Sequence, residues 1–149
     1  MTREEFIDRI EKIPGYYYEL EGDKIIIPKY CGGMDWAIES LPPVVEFRNT
    51  GSVLLDSLKE IPAGVSFYNT QWVSLNSIKH IPEGVGFYNR NGVVADIVES
   101  ISPGVEFNNS GAISMESLKI NTEFDWGCEV KGIDDRRILN AMIKRGLFQ

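Results

Sequence analysis

Thiols, imidazoles and long apolar runs are what this chain of 149 residues has least of: two cysteines, one histidine and no uninterrupted hydrophobic stretch of membrane length. Cys31 and Cys128 stand far apart, outside any CxxC or Cys/His cluster, so neither a disulfide framework nor a zinc site of the usual spacing is expected. Two isolated thiols point to a reducing compartment. His80 has no second histidine with which to bind metal or share acid–base work, and neither cysteine has a candidate base near it in sequence. The expectation is a chain that is not an enzyme and uses no cofactor or metal. The opening MTREEFIDRIEKIPG carries acids where a secretion signal carries bases, and no apolar run approaches the roughly 18 residues that span a bilayer. Cytoplasmic residence away from membranes is expected.

Positive charge is also in the minority, with 15 Lys and Arg against 22 Asp and Glu and a net charge of -7. That balance argues against generic attraction to phosphates or anionic lipid, so no direct nucleic-acid partner is expected, and a protein partner should present a basic or neutral surface. The acids form no dense run of the kind that imitates a DNA duplex. GVGFYNRNG around Gly84 lacks the third glycine and following helix of a dinucleotide fingerprint, and its glycines read as corners. Apolar residues at 43%, aromatics at 11% and charged residues at 25% are nonetheless enough for a folded core.

What the sequence does contain is an internal repeat of 20 residues from Leu41 to Ile120 without insertion: LPPVVEFRNTGSVLLDSLKE, IPAGVSFYNTQWVSLNSIKH, IPEGVGFYNRNGVVADIVES and ISPGVEFNNSGAISMESLKI. Val45, Val65, Val85 and Val105 fall in one column; Phe47, Phe67, Phe87 and Phe107 in a second; Asn49, Asn69, Asn89 and Asn109 in a third. Four further columns hold only apolar residues, beginning at Leu41, Val53, Leu55 and Leu58. Alternation within each copy signals strand, and the Pro, Gly and Asn positions mark corners. Each copy is therefore one coil of a mainly β, parallel β-solenoid in which like residues stack about 4.8 Å apart and bury a core that no single copy could hide.

The flanks read as caps of a single domain: residues 1–40 before the repeats at 41–120, and 121–149 after them. Thr2 and Glu5 form a capping box ahead of Phe6, Ile7, Ile10 and Ile13 on one helix face, with Pro14 and Gly15 as the stop. Tyr16–Leu20 and Lys24–Ile27 flank Gly22 and Asp23 as a hairpin leading to a degenerate coil around Gly32–Ser40. At the far end Asp134 can cap a helix bearing Ile138, Leu139, Met142 and Ile143, with Lys144 and Arg145 in its last turn and Gly146 ending it.

The segment LxxIP followed by an apolar residue resembles the leucine-rich repeat, whose shortest periods are near 20 residues. Leu58, Ile78, Val98 and Leu118 occupy the region where that repeat would carry Asn. Residues 41–120 resemble the leucine-rich-like or β-solenoid repeats of short bacterial and bacteriophage proteins, and KGIDDRRILNAMIKRGLF is similar to tails that follow such repeats. This resemblance implies an inhibitor that occludes a host defence or nucleic-acid enzyme, with anti-CRISPR or anti-restriction effect, in the host cytoplasm.

Candidate site residues lie on the outward columns. If Val and Phe point inward, Arg48, Tyr68, Tyr88 and Asn108 point outward, with Trp72 and Arg90 close by. Tyr68 and Tyr88 should stack on adjacent coils beside Trp72 and between arginines; Tyr, Trp and Arg dominate binding hot spots, so Arg48, Tyr68, Trp72, Tyr88 and Arg90 are the expected protein-binding set. The column Asp56, Asn76, Asp96, Glu116 brings successive side chains within about 5 Å along the ladder; carboxylates so aligned could hold a cation or act as an acid–base pair, but Asn76 interrupts the line, and the other reading is a solvated row beside Lys59, Lys79 and Lys119. Two alternatives to a non-catalytic protein-interaction module follow: an acidic nucleic-acid mimic, and a carbohydrate-binding or carbohydrate-active β-helix using Tyr68, Trp72 and Tyr88. Homodimerisation through a coil end or the aromatic face is open as well.

Overall fold

Successive side chains of an extended chain point to opposite faces, and the Val-x-Phe and Val-x-Leu alternations of each unit become short strands on either side of the Asn corner. The computed structural model describes residues 1–68, 70–109, 111–118 and 136–148. In chain order its elements are α1 (Arg3–Glu11), β1 (Glu19–Glu21), β2 (Lys24–Ile27), β3 (Met34–Asp35), β4 (Val45–Phe47), β5 (Val53–Leu54), β6 (Ser66–Tyr68) and β7 (Val73–Ser74). They continue with β8 (His80–Ile81), β9 (Gly86–Tyr88), β10 (Val93–Val94), β11 (Ser100–Ile101), β12 (Glu106–Phe107), β13 (Ile113–Ser114) and α2 (Arg136–Lys144).

Three sheets line the walls, in the orders β1-β2-β4-β6-β9-β12, β13-β10-β7-β5-β3 and β11-β8. Pairing between coils is parallel and keeps the twenty-residue step: Phe47 opposes Phe67, Phe67 opposes Phe87, and Phe87 opposes Phe107. On the second wall Val53, Val73, Val93 and Ile113 oppose one another in turn. The fold is a parallel β-solenoid, mainly β, with short helices at the N-terminus and near the C-terminus.

All six apolar columns of the repeat are buried, from Leu41, Ile61, Ile81 and Ile101 at one corner to Leu58, Ile78, Val98 and Leu118 at another. Each such side chain contributes about 1.5–3 kcal/mol relative to exposure, which makes this inner stack the main source of cohesion between coils. One corner is strained. Gly64 and Gly84 sit at φ 85° and 86°, and Val44, in the same column, is held at φ 62°, where a β-branched side chain is disfavoured.

The leading coil starts earlier than the sequence indicates. β2 is both the second strand of the hairpin and the first rung of the solenoid, pairing Ile25 with Val45 and Ile27 with Phe47, whereas β3 pairs Met34 with Val53. β2 and β4 stand twenty residues apart, as in the repeats, but β3 and β5 nineteen: the leading coil carries one extra residue between β2 and β3, at the corner where the Gly33 backbone lies so close to Gly51 that a Cβ on Gly51 would collide with it, and one fewer between β3 and β4.

Both ends carry caps. Thr2 accepts a 3.1 Å hydrogen bond from the Glu5 backbone N–H, and Phe6 and Ile10 of α1 pack inward, Phe6 meeting Trp36 at 5.2 Å between ring centres. β1 spans Glu19–Glu21, shorter than the expected Tyr16–Leu20, and covers β2 with an acidic, exposed edge that discourages further pairing. At the other end the Asn140 side chain accepts from Phe107 N (2.9 Å) and donates to Phe107 O (2.8 Å), occupying the open edge of β12. Phe148 O accepts from Ile101 N at 3.1 Å, so β11 is capped as well. Gly146, at φ 72°, donates to Ile143 O and Leu147 to Met142 O, the paired bonds of a Schellman stop. Asp134 and Cys128 lie outside the described residues, as do the side chains of Ile138 and Leu139.

Candidate functional site

Tyr68 and Tyr88 end β6 and β9 on the outer side of the strands whose inner side carries Phe67 and Phe87. Their register is direct, and their rings stack with centres 4.8 Å apart and planes 14° from parallel. Gly86 makes this possible: a Cβ there would press on the Tyr88 ring, which lies across that glycine and reaches Glu106, donating to Oε2 at 3.3 Å. Burial, above all, and the neighbouring Glu106 carboxylate raise the Tyr88 phenol above its ordinary pKa, because both disfavour a phenolate. Tyr68 stays 36% exposed, and its hydroxyl makes no hydrogen bond among the described residues.

Beside Tyr68 lies a groove of about 370 Å³ lined by Lys29, Glu46, Arg48 and Tyr68. Glu46, on the outer face of β4, is only 6% exposed. It accepts from Arg48 Nε and, at 3.4 Å, from Lys24 Nζ, so two cations balance the buried carboxylate. Removing either would leave charge buried with half its compensation. Arg48 is thereby pinned through Nε, and the structure brings it together with Tyr68 as the sequence indicates.

Trp72 makes no ring contact with that cluster among the described residues, and Arg90 follows β9 at the corner. Trp72 is 40% exposed, but its ring lies against Gly92 of the next coil, and no ring contact links it to either tyrosine among the described residues. The reason is the corner: Tyr68 ends β6 on the first wall, and Trp72 immediately precedes β7 on the second. Arg90 reaches back two coils, donating from Nη2 to Thr50 O at 2.5 Å, and so staples the corners together.

The remaining polar columns are occupied internally. Asp56 accepts from Ser74 Oγ at 2.6 Å and from Asn76 N at 3.1 Å; Asn76 Oδ1 accepts from Asp96 N at 3.3 Å; Asp96 accepts from Ser114 Oγ at 2.5 Å. Each of these side chains bonds to the following coil, and Asp56 and Asn76 accept from the backbone of its turn. The Asn amides likewise donate to corner carbonyls, Asn49 to Gly32, Asn89 to Gln71 and Gly92, and Asn109 to Asn91 and Gly111. Asn69 lies outside the described residues. Exposed His80 borders a groove of about 490 Å³ with Lys59 and Lys79, and both its nitrogens meet serine hydroxyls, Ser100 at 2.6 Å and Ser102 at 3.0 Å. Among the described residues no group of three or more His, Cys, Asp or Glu is placed to hold a metal ion, and no helix is long and apolar enough to cross a membrane.

Two groove residues escape sequence reasoning. Glu46 belongs to a column, Glu46, Ser66, Gly86, Glu106, with no common chemistry, and Lys29 belongs to the leading coil's first corner, where one extra residue breaks the twenty-residue register. The position of Glu46 between two inward residues, followed by Arg48 at i+2, is the one signal available for it, since i and i+2 share a strand face. No family model matches the chain, and neither does any curated protein or solved structure.

Proposed function

We propose that the chain is a non-catalytic protein-interaction module that presents Arg48, Tyr68 and Tyr88 as a rigid outer face. The single observation that carries this reading is the Tyr68–Tyr88 stack, held in register by strand pairing yet open to solvent at Tyr68. Stacked tyrosines with an arginine beside them offer a large contact area with polar handles and lose little conformational freedom on binding, because the strands already fix them. The non-catalytic part is supported by Asp56 and Asp96, whose carboxylates are hydrogen-bonded to the following coil.

In its finer form, drawn from the resemblance to leucine-rich-like repeats of bacterial and phage proteins, the module occludes a host defence or nucleic-acid enzyme in the cytoplasm. The net charge of -7 favours approach to a partner whose overall surface is basic or neutral. Affinity capture from bacterial lysate with the native chain and a Tyr68→Ala/Tyr88→Ala variant tests it. A protein retained by the native bait and lost by the variant is expected; equal recovery of every captured protein rules the aromatic face out.

A further inference from the structure

We infer that the groove beside Tyr68 takes a side-chain carboxylate, an Asp or Glu from an acidic segment of the partner. This deepens the protein-binding reading above and rests on it. Although the whole chain is acidic, the groove is locally cationic: Lys29 and Arg48 line it with one carboxylate, Glu46, which is buried and also paired with Lys24. Glu46 uses Arg48 Nε, and no hydrogen bond reaches the Nη atoms of Arg48 among the described residues. The guanidinium therefore keeps a pair of donors, on a side chain still 37% exposed and already oriented by a buried partner. Paired donors of that geometry match the two oxygens of a carboxylate. Lys29, exposed and without an ion pair among the described residues, adds a second cation from the neighbouring coil, and Tyr68, whose hydroxyl makes no hydrogen bond among those residues, lines the same opening. The acids of β1, Glu19 and Glu21, lie two strands away from β4, across β2. An incoming carboxylate supplies the charge the groove lacks, while the tyrosine stack offers apolar surface to the residues flanking it.

The test uses the full chain and two acetylated, amidated pentapeptides, EEYEE and QQYQQ, followed by backbone amide shifts in two-dimensional NMR. EEYEE should shift the amides of Lys29, Arg48 and Tyr68 saturably, and QQYQQ should bind about tenfold more weakly, the difference expected of one charge-assisted pair. Arg48→Gln should bring EEYEE down to the level of QQYQQ. Because that change leaves the buried Glu46 with Lys24 alone, Lys29→Gln is the companion variant: it leaves the contacts of Glu46 intact and should weaken EEYEE by a smaller factor. Three results overturn the inference: no shifts with EEYEE, equal binding of the two peptides, or EEYEE binding unchanged in both variants. Equal binding that disappears in Tyr68→Ala would leave the aromatic-face reading standing while removing the carboxylate.

Discussion

Two aromatic ladders run back to back along the same strands. Inside, Phe47, Phe67, Phe87 and Phe107 stack at 5.1, 5.3 and 4.7 Å with planes within 8° of parallel; outside, Tyr68 and Tyr88 stack at 4.8 Å and 14°. The geometry is nearly the same because a twenty-residue step with parallel pairing lays any residue above its counterpart, whichever face it occupies. Stacking is therefore a property of the scaffold and says nothing by itself about use. What separates the ladders is water and spare hydrogen-bonding capacity. The phenylalanines are at most 1% exposed and have no polar atoms, whereas Tyr68 keeps solvent on its ring and a free hydroxyl beside a pinned guanidinium.

The sharpest contrast should come from truncating neighbours on one strand. Phe67→Ala removes a ring packed between two others and opens a cavity the coil above cannot fill, so a loss of about 3–5 kcal/mol in unfolding free energy is expected. Tyr68→Ala, one residue on, gives up one stacking contact and partial burial, and about 1 kcal/mol is expected. Urea denaturation of the two variants measures both. Comparable losses would mean that the outer ladder holds the coils together as the inner one does, and its exposed ring would then need no partner to explain it.

That contrast also marks what the sequence makes legible. Columns of one chemistry, such as the Val, Phe and Leu sets, give their own register, and every described member is buried as its alternation implies. The tyrosine pair is readable for the same reason, since Tyr68 and Tyr88 share a column one step from Phe. Trp72 is not, because its column is otherwise Ser52, Gly92 and Ala112, and its ring takes the space that Gly92 leaves on the coil above. Lys29 is hidden by a corner with one extra residue, and Glu46 by a column whose members differ in kind. The periodic signal reports contacts that every coil repeats; a groove made by one coil in particular lies outside it.

Gly86 offers a way to disturb the outer ladder while leaving the inner one alone. A Cβ placed there falls 2.5 Å from the Tyr88 ring and must displace it, and the ring, as the end of a side chain, can swing away. Gly86→Ala should therefore change stability by less than about 1 kcal/mol, since the lost ring contact is partly offset by the better fit of alanine in a strand. The ring-current shifts of Tyr68 and Tyr88 should collapse in the NMR spectrum, and capture of the partner should fall with them. Native ring shifts in Gly86→Ala would show that the glycine does not hold the outer stack in place.

The smallest effect concerns the Tyr88 phenol. Its pKa is raised from the ordinary 10.0, first by burial and then by Glu106 and Tyr68, so the folded chain keeps this proton in a pH range where the unfolded chain has lost it. The folded state then binds more protons than the unfolded state, and stability must fall as pH rises from about 10 through the folded value, while below that range the contribution is constant. Tyr88→Phe cannot ionise and should lose less stability between about pH 8 and 11 than the native chain does. Some alkaline loss will persist, because the phenols of Tyr16 and Tyr18 are raised as well, Tyr16 chiefly by burial and Tyr18 by its hydrogen bond to Glu11. Parallel stability curves for the two proteins across that interval would mean that Tyr88 ionises alike in the folded and unfolded chains, and the outer ladder would then be wetter than its contact with Glu106 implies.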